Sequence, residues 1–174
     1  MSPETRSEIV QILEGSRNDF VEAVRGVTEA QAQAHPQAGR WSVLECVEHV
    51  TTVEVRFLGR LENAPREGAP PLDKEKESAL QARVQSRANR AEAPEPVRPT
   101  GRFSTLGAAL AAFQAARDCT VRFAERESAA LYQRAESHPR FGPLNGMELL
   151  IIMAGHARRH AEQIRELKAA LGQA

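Results

Sequence analysis

Apolar residues recur along this chain at spacings of three and four, the period of a helix buried along one face. A first helix is predicted from about Pro3 to Val24. Ile9, Leu13, Phe20 and Val24 lie on its stripe, and Gly26 sits where a glycine ends a helix. A second opens in "RWSVLECVEHV". Ser42 and Glu45 form a capping box there, the hydroxyl taking an orphan amide and the carboxylate reaching back. Trp41, just before the cap, is placed to staple onto Cys46; Val43, Val47, Val50, Phe57 and Leu61 carry the stripe to about Leu61. A third helix covers roughly 104–127, with Leu106, Leu110, Phe113, Val121 and Ala124 inward. A fourth opens at "LNGMELL" and ends near Leu171, ahead of Gly172. Asn145 caps it, Glu148 takes the third position, and Leu144 can staple onto Leu149.

The interval 63–102 breaks this rhythm. It holds Pro65, Pro70, Pro71, Pro94, Pro96 and Pro99, six of the ten prolines, around a polar segment able to form a surface helix. So long a stretch between helices is usually functional or a crossover. In a bundle it lets two neighbouring helices run in the same direction. Scarce aromatics and abundant alanine agree with an all-α fold, and the chain shows no internal repeat. The expectation is a four-helix bundle with a long crossover between its second and third helices, residues 1–174 forming one domain.

The fourth helix carries "GHARRHAEQI", with His156 and His160 one turn apart. With His156 at 0° on the helical wheel, His160 falls at about 40°, Leu149 and Leu167 near about 20°, and Met153, Leu171 and Ile164 between about 60° and 80°. The two imidazoles therefore point into the bundle, where a polar ring without partners is costly. Either they form a hydrogen-bonded core pair, or they ligate a divalent metal, for which histidines at i and i+4 are suited. His49 lies at the margin of the second helix's stripe. It is a half-exposed boundary residue, or it turns inward to make a three-nitrogen site with a coordination position left open. His138, in the Pro- and Gly-punctuated "SHPRFGPLN", reads as a turn or hydrogen-bonding residue, and His35 as surface loop. Cys46, one turn before His49, reads as packing rather than as a fourth ligand.

Charge limits the partners. Lys plus Arg number 23 and Asp plus Glu number 23. This balance argues against nucleic acid or an anionic membrane surface. No apolar run approaches the roughly 20 residues of a membrane span, and "MSPETRSEIV" lacks a signal-peptide core. A cytoplasmic protein is expected. Cys46 and Cys119 are far apart without paired spacing, and read as reduced packing thiols.

Together, "GRWSVLECVEHV" and "HPRFGPLNGMELLIIMAGHARRHAEQI" resemble the DinB/YfiT-like family of bacterial four-helix-bundle proteins, a damage-inducible family described as metal-dependent. The likeness covers roughly 1–62 and 104–172; the interval between matches only in position. It implies a divalent metal held by three histidines, which map here onto His49, His156 and His160. Zinc or nickel suit imidazole best. It implies a homodimer, which the small side chains of "LGAALAAFQAA" would permit. Some members resemble thiol-dependent transferases or isomerases that use a low-molecular-weight thiol as co-substrate, and others are called hydrolases.

No substrate motif selects between these activities, and the catalytic residues stay unassigned. A metal at the triad would supply Lewis-acid chemistry toward a small-molecule substrate, by hydrolysis or thiol-dependent transfer. Glu45 is occupied as a cap, Glu48 and Glu54 point away from His49, and Gln163, about −20° from His156, can orient a ligand or a bound water. The competing reading is a non-catalytic, metal-stabilised binding or stress-response module.

Overall fold

The computed structural model describes residues 7–88 and 92–172. Its long helices are α1 (Glu8–Val24), α3 (Val43–Asn63), α5 (Leu106–Arg126) and α6 (Gly146–Leu171), with a short α2 (Glu29–Gln33) and a 12-residue α4 (Lys74–Gln85) between them. The start expected near Pro3 lies outside the described residues. Gly26 takes φ +79° just past α1, a left-handed conformation that lets the chain turn away. Both expected capping boxes form. Ser42 Oγ accepts the Glu45 amide at 3.2 Å while Glu45 Oε2 accepts the Ser42 amide at 2.8 Å. Asn145 and Glu148 do the same at 3.0 and 2.9 Å.

The long helices contact one another as α1 on α6 and α5, and α3 on α5 and α6. Between α3 and α5 the described residues include the helix expected in the polar segment. This helix, α4, buries Glu77, Leu80 and Val84 and packs on α6. Gly155 makes this approach possible, since a Cβ there would lie 3.1 Å from Val84 Cγ1. A 3-10 turn (Glu95–Val97) follows and touches α3.

The expectation of helices alone needs correcting. The "SHPRFGPLN" loop is an antiparallel hairpin, β1 (Ala135–His138) with β2 (Gly142–Asn145). Pro139 lies outside the ladder and Gly142 turns with φ +72°. The hairpin sits at the periphery, only its Leu144–Asn145 end being fully buried, and it delivers Asn145 to its capping position. Cys119 also departs from expectation. It is exposed on α5, beside Arg122, because it lies on the face opposite the buried stripe; Cys46 is buried, and both are free thiols. No helix among the described residues is long and apolar enough to cross a membrane.

The core divides in two. One cluster gathers Leu13, Leu58, Val121 and Met153 with their neighbours; the other gathers Phe20, Val50, Phe113 and Ala157. On α1, α3 and α5 a polar residue separates the two sets: Ser16, Glu54 and Arg117, all buried.

Candidate metal centre

His49 sits in the second turn of α3, and His156 and His160 in the middle of α6, so the two capping boxes fix the helices that carry all three. Their rings converge. His156 Nε2 stands 3.1 Å from His49 Nε2 and 3.2 Å from His160 Nε2, and the three candidate ligand atoms all lie within 4.8 Å of one another. Among the described residues this is the group of three or more His, Cys, Asp or Glu side chains able to hold an ion.

Hydrogen bonding alone does not satisfy this arrangement. His49 Nδ1 lies 2.7 Å from the Val97 carbonyl, which can only accept. That contact puts the proton on Nδ1 and leaves Nε2 as a bare acceptor. His156 Nε2 then faces two other ring nitrogens and carries at most one proton to share. Nitrogens bound at 2.0–2.1 Å to one tetrahedral ion would stand about 3.3 Å apart, close to the two spacings at His156 Nε2, while the His49–His160 pair lies within 4.8 Å. The donor set fits a divalent metal.

Electrostatics favours the same state. Burial pushes the pKa of His49 down, against the opposing pull of the Val97 carbonyl. Burial also drives His156 and His160 well below the ordinary histidine value, and repulsion within the cluster adds to it. The rings are neutral near pH 7, with lone pairs available. His49 and His160 are buried, whereas His156 is half-buried, so the cluster meets solvent on the His156 side.

The surroundings hold features the helical wheel did not show. Trp41, expected as a staple on Cys46, packs against the cluster containing Cys46, but its ring lies 4.9 Å from His49 and 6.5 Å from His160. It walls the site. Buried His160 Nδ1 makes no well-formed hydrogen bond, and Gln163, whose side chain approaches this ring, is the group that can complete it. Arg87, just past α4, spans to Gln163 at 3.5 Å and grips Glu166 at 2.6 and 2.9 Å. Arg159 bonds the Ser86 carbonyl.

The other candidates stay apart. Exposed His35 meets the Arg40 carbonyl at 2.8 Å. His138 packs against Phe57 and Phe141 and accepts the Arg140 amide at 3.1 Å. Cys46, its thiol pushed up to about 12 by burial, stays protonated in the core. Glu48 and Glu54 do turn from His49, yet both are buried and occupied: Glu48 takes the amides of Thr100, Gly101 and Arg102, and Glu54 pairs with Arg117.

Residues 12–164 match the model of the DinB superfamily. The chain belongs to this superfamily. Three similar proteins agree in extent. The uncharacterized protein YuaE of Bacillus subtilis (strain 168) is 22% identical over 166 residues, covering 91% of this chain and 96% of YuaE. The crystal structure of TT2238, a four-helix bundle protein, superposes with a TM-score of 0.52 at 22% identity, covering 96% of this chain and 98% of that one. YfiT from Bacillus subtilis superposes with a TM-score of 0.61 at 18% identity, covering 99% and 93%; it is described as a probable metal-dependent hydrolase with an unusual four-helix bundle topology. At these identities the structural likenesses establish the bundle fold.

Proposed function

We propose that this DinB-superfamily protein is a divalent-metal-dependent enzyme acting on a small molecule, with His49, His156 and His160 as the ligands and zinc or nickel as the metal. The carrying observation is the convergence of three imidazole nitrogens at 3.1 and 3.2 Å on a side open at His156. The description of YfiT as metal-dependent supports the reading.

A bound divalent ion supplies Lewis acidity, which lets a water or thiol ionise near neutral pH. The protein's own part is to hold three neutral imidazoles in a dry wall. The Val97 carbonyl fixes the proton of His49 on Nδ1, and Gln163 can hold His160 in the same sense. Trp41 excludes solvent over His49. No carboxylate near His49 on α3 is free to act as general base: Glu45, Glu48 and Glu54 serve the helix cap, the loop amides and Arg117. None of these residues selects the nucleophile, so hydrolysis and transfer from a low-molecular-weight thiol both belong to this reading.

The deciding experiment is metal analysis of protein purified without a nickel column, followed by thiol-transfer and hydrolysis screens on wild type and His160→Ala. Turnover lost with His160 supports the enzyme. Stoichiometric metal with no turnover in either screen supports a metal-stabilised module instead. The exposed small residues of α5, Ala108, Ala111 and Ala115, leave room for a second copy, and we propose a homodimer; sedimentation showing only the 19.1 kDa species at micromolar concentration would exclude it.

A further inference from the structure

We propose that Glu48 is the positioning residue for His49: by gathering the loop at 100–102 it holds the Val97 carbonyl against the imidazole and so sets which nitrogen faces the site. The inference rests on the three-histidine reading above and concerns how that site is prepared.

Glu48 and His49 are consecutive on α3 and serve the same strap of chain from adjacent faces. The Glu48 carboxylate is 1% exposed. Its Oε1 accepts the Thr100 amide at 2.6 Å and the Thr100 hydroxyl at 3.3 Å; its Oε2 accepts the amides of Gly101 and Arg102 at 3.2 and 3.1 Å. Three successive N–H groups converging on one anion form a nest. Gly101, at φ +79°, supplies the left-handed turn that aims them. Only Arg98 and Pro99 separate this nest from Val97. Proline fixes its own φ, and the turn at 95–97 is closed by Val97 N–H to the Pro94 carbonyl and Arg98 N–H to the Glu95 carbonyl, both 3.1 Å. The link is short and stiff, so the nest at 100–102 dictates where the Val97 carbonyl stands. That carbonyl, 2.7 Å from His49 Nδ1, gives the ring its tautomer and its rotation. A purely structural role for Glu48 would tie loop to helix and leave the imidazole indifferent; the contact at Val97 makes the two inseparable.

The test is Glu48→Gln, which keeps the shape but turns an NH2 toward amide donors, together with Gly101→Ala, which leaves α3 untouched. A Cβ at Gly101 meets nothing within 4 Å, so the second change acts through backbone conformation alone. Nitrogen-15 histidine spectra of metal-free protein should show His49 protonated on Nδ1 in wild type and a mixture of tautomers in both variants. Zinc titration should show affinity falling by about 10–100-fold, the range for loss of a ligand's orienting partner. Thermal unfolding checks that each variant is folded; should Glu48→Gln not fold, Gly101→Ala decides. Unchanged His49 spectra in the folded variants overturn the proposal, whether or not zinc affinity falls. Wild type that binds no zinc, with the tautomer still shifting in the variants, sustains the positioning role and refutes the metal reading alone.

Discussion

Arg117 and Glu54 form a two-pronged ion pair in the middle of the bundle, Nε to Oε1 at 2.7 Å and Nη2 to Oε2 at 2.8 Å, with the two side chains 0% and 2% exposed. Their remaining valences are filled from other helices. The Leu13 carbonyl of α1 accepts from Arg117 at 3.0 Å, the Met153 carbonyl of α6 at 3.4 Å, and Thr120 donates to Glu54 at 2.7 Å. The pair thus touches all four long helices at the boundary between the two apolar clusters. An apolar bundle core tolerates sliding of one helix by a turn; a buried charge that must meet its partner does not.

Breaking the pair from one side should therefore be far worse than removing it. Glu54→Gln or Arg117→Met leaves a buried charge without its counter-ion and should cost about 3–5 kcal/mol, a large part of a domain's about 5–15 kcal/mol total. The double variant Glu54→Gln with Arg117→Met should cost clearly less than the sum. Urea unfolding of all three settles it: additive losses would mean the two residues are not energetically coupled.

This layer marks where the sequence was hard to read. The apolar period located the four long helices and both capping boxes, and it turned His156 and His160 inward, because each of those signals is local. Glu54 and Arg117 occupy stripe positions, four residues after Val50 and after Phe113 and four before Leu58 and Val121. A charge on an apolar stripe was the available signal, present on two helices at once. The hairpin was missed because its strands are four residues each and show no clean alternation. Val97 and Glu48 were beyond reach for another reason: a contact 48 residues apart, through a proline-rich interval, leaves no periodic trace.

The seat of α4 on α6 depends on Gly155. Gly155→Ala places a Cβ 3.1–3.2 Å from Val84, so the neighbour must yield by a few tenths of an ångström. Overpacking of this kind costs about 1–3 kcal/mol. Val84→Ala in the same chain should recover part of the loss, whereas Val84→Ala alone destabilises. At Gly146 the obstacle is backbone, the Leu131 carbonyl at 2.7 Å, so Gly146→Ala should destabilise with no such rescue. Thermal melts of the four variants discriminate; equal effects at the two glycines would refute the distinction.

His138 should make the protein acid-sensitive. Burial first, then the neighbouring guanidinium groups of Arg60 and Arg140, bring its pKa down to about 4. In the unfolded chain it titrates near about 6.5. Between those values the unfolded state holds more protons, so stability falls as pH drops from about 6.5 toward about 4 and is unaffected by this residue above that window. Unfolding free energy measured against pH should show a shallower slope in His138→Asn than in wild type across that interval. Parallel curves would show that the ring titrates alike in both states.

The strongest prediction concerns the three rings. His49→Ala, His156→Ala and His160→Ala should each lose metal when protein is purified without a nickel column, while His35→Ala and His138→Ala retain it. Affinity should fall by more than the about 10–100-fold that follows loss of an orienting partner, because a ligand itself is gone. Asymmetry among the three is informative. His156 Nε2 is the nitrogen that stands near both others, at 3.1 and 3.2 Å, and it is on the open side. Removing it takes away the central donor but opens the position to water, so its loss should be the most repairable by solvent. His160 is buried and shares its helix and its face with His156, so its replacement leaves an apolar void that water fills poorly. If His160→Ala keeps a full equivalent of metal, the ion sits elsewhere and the triad is a core of hydrogen-bonded histidines.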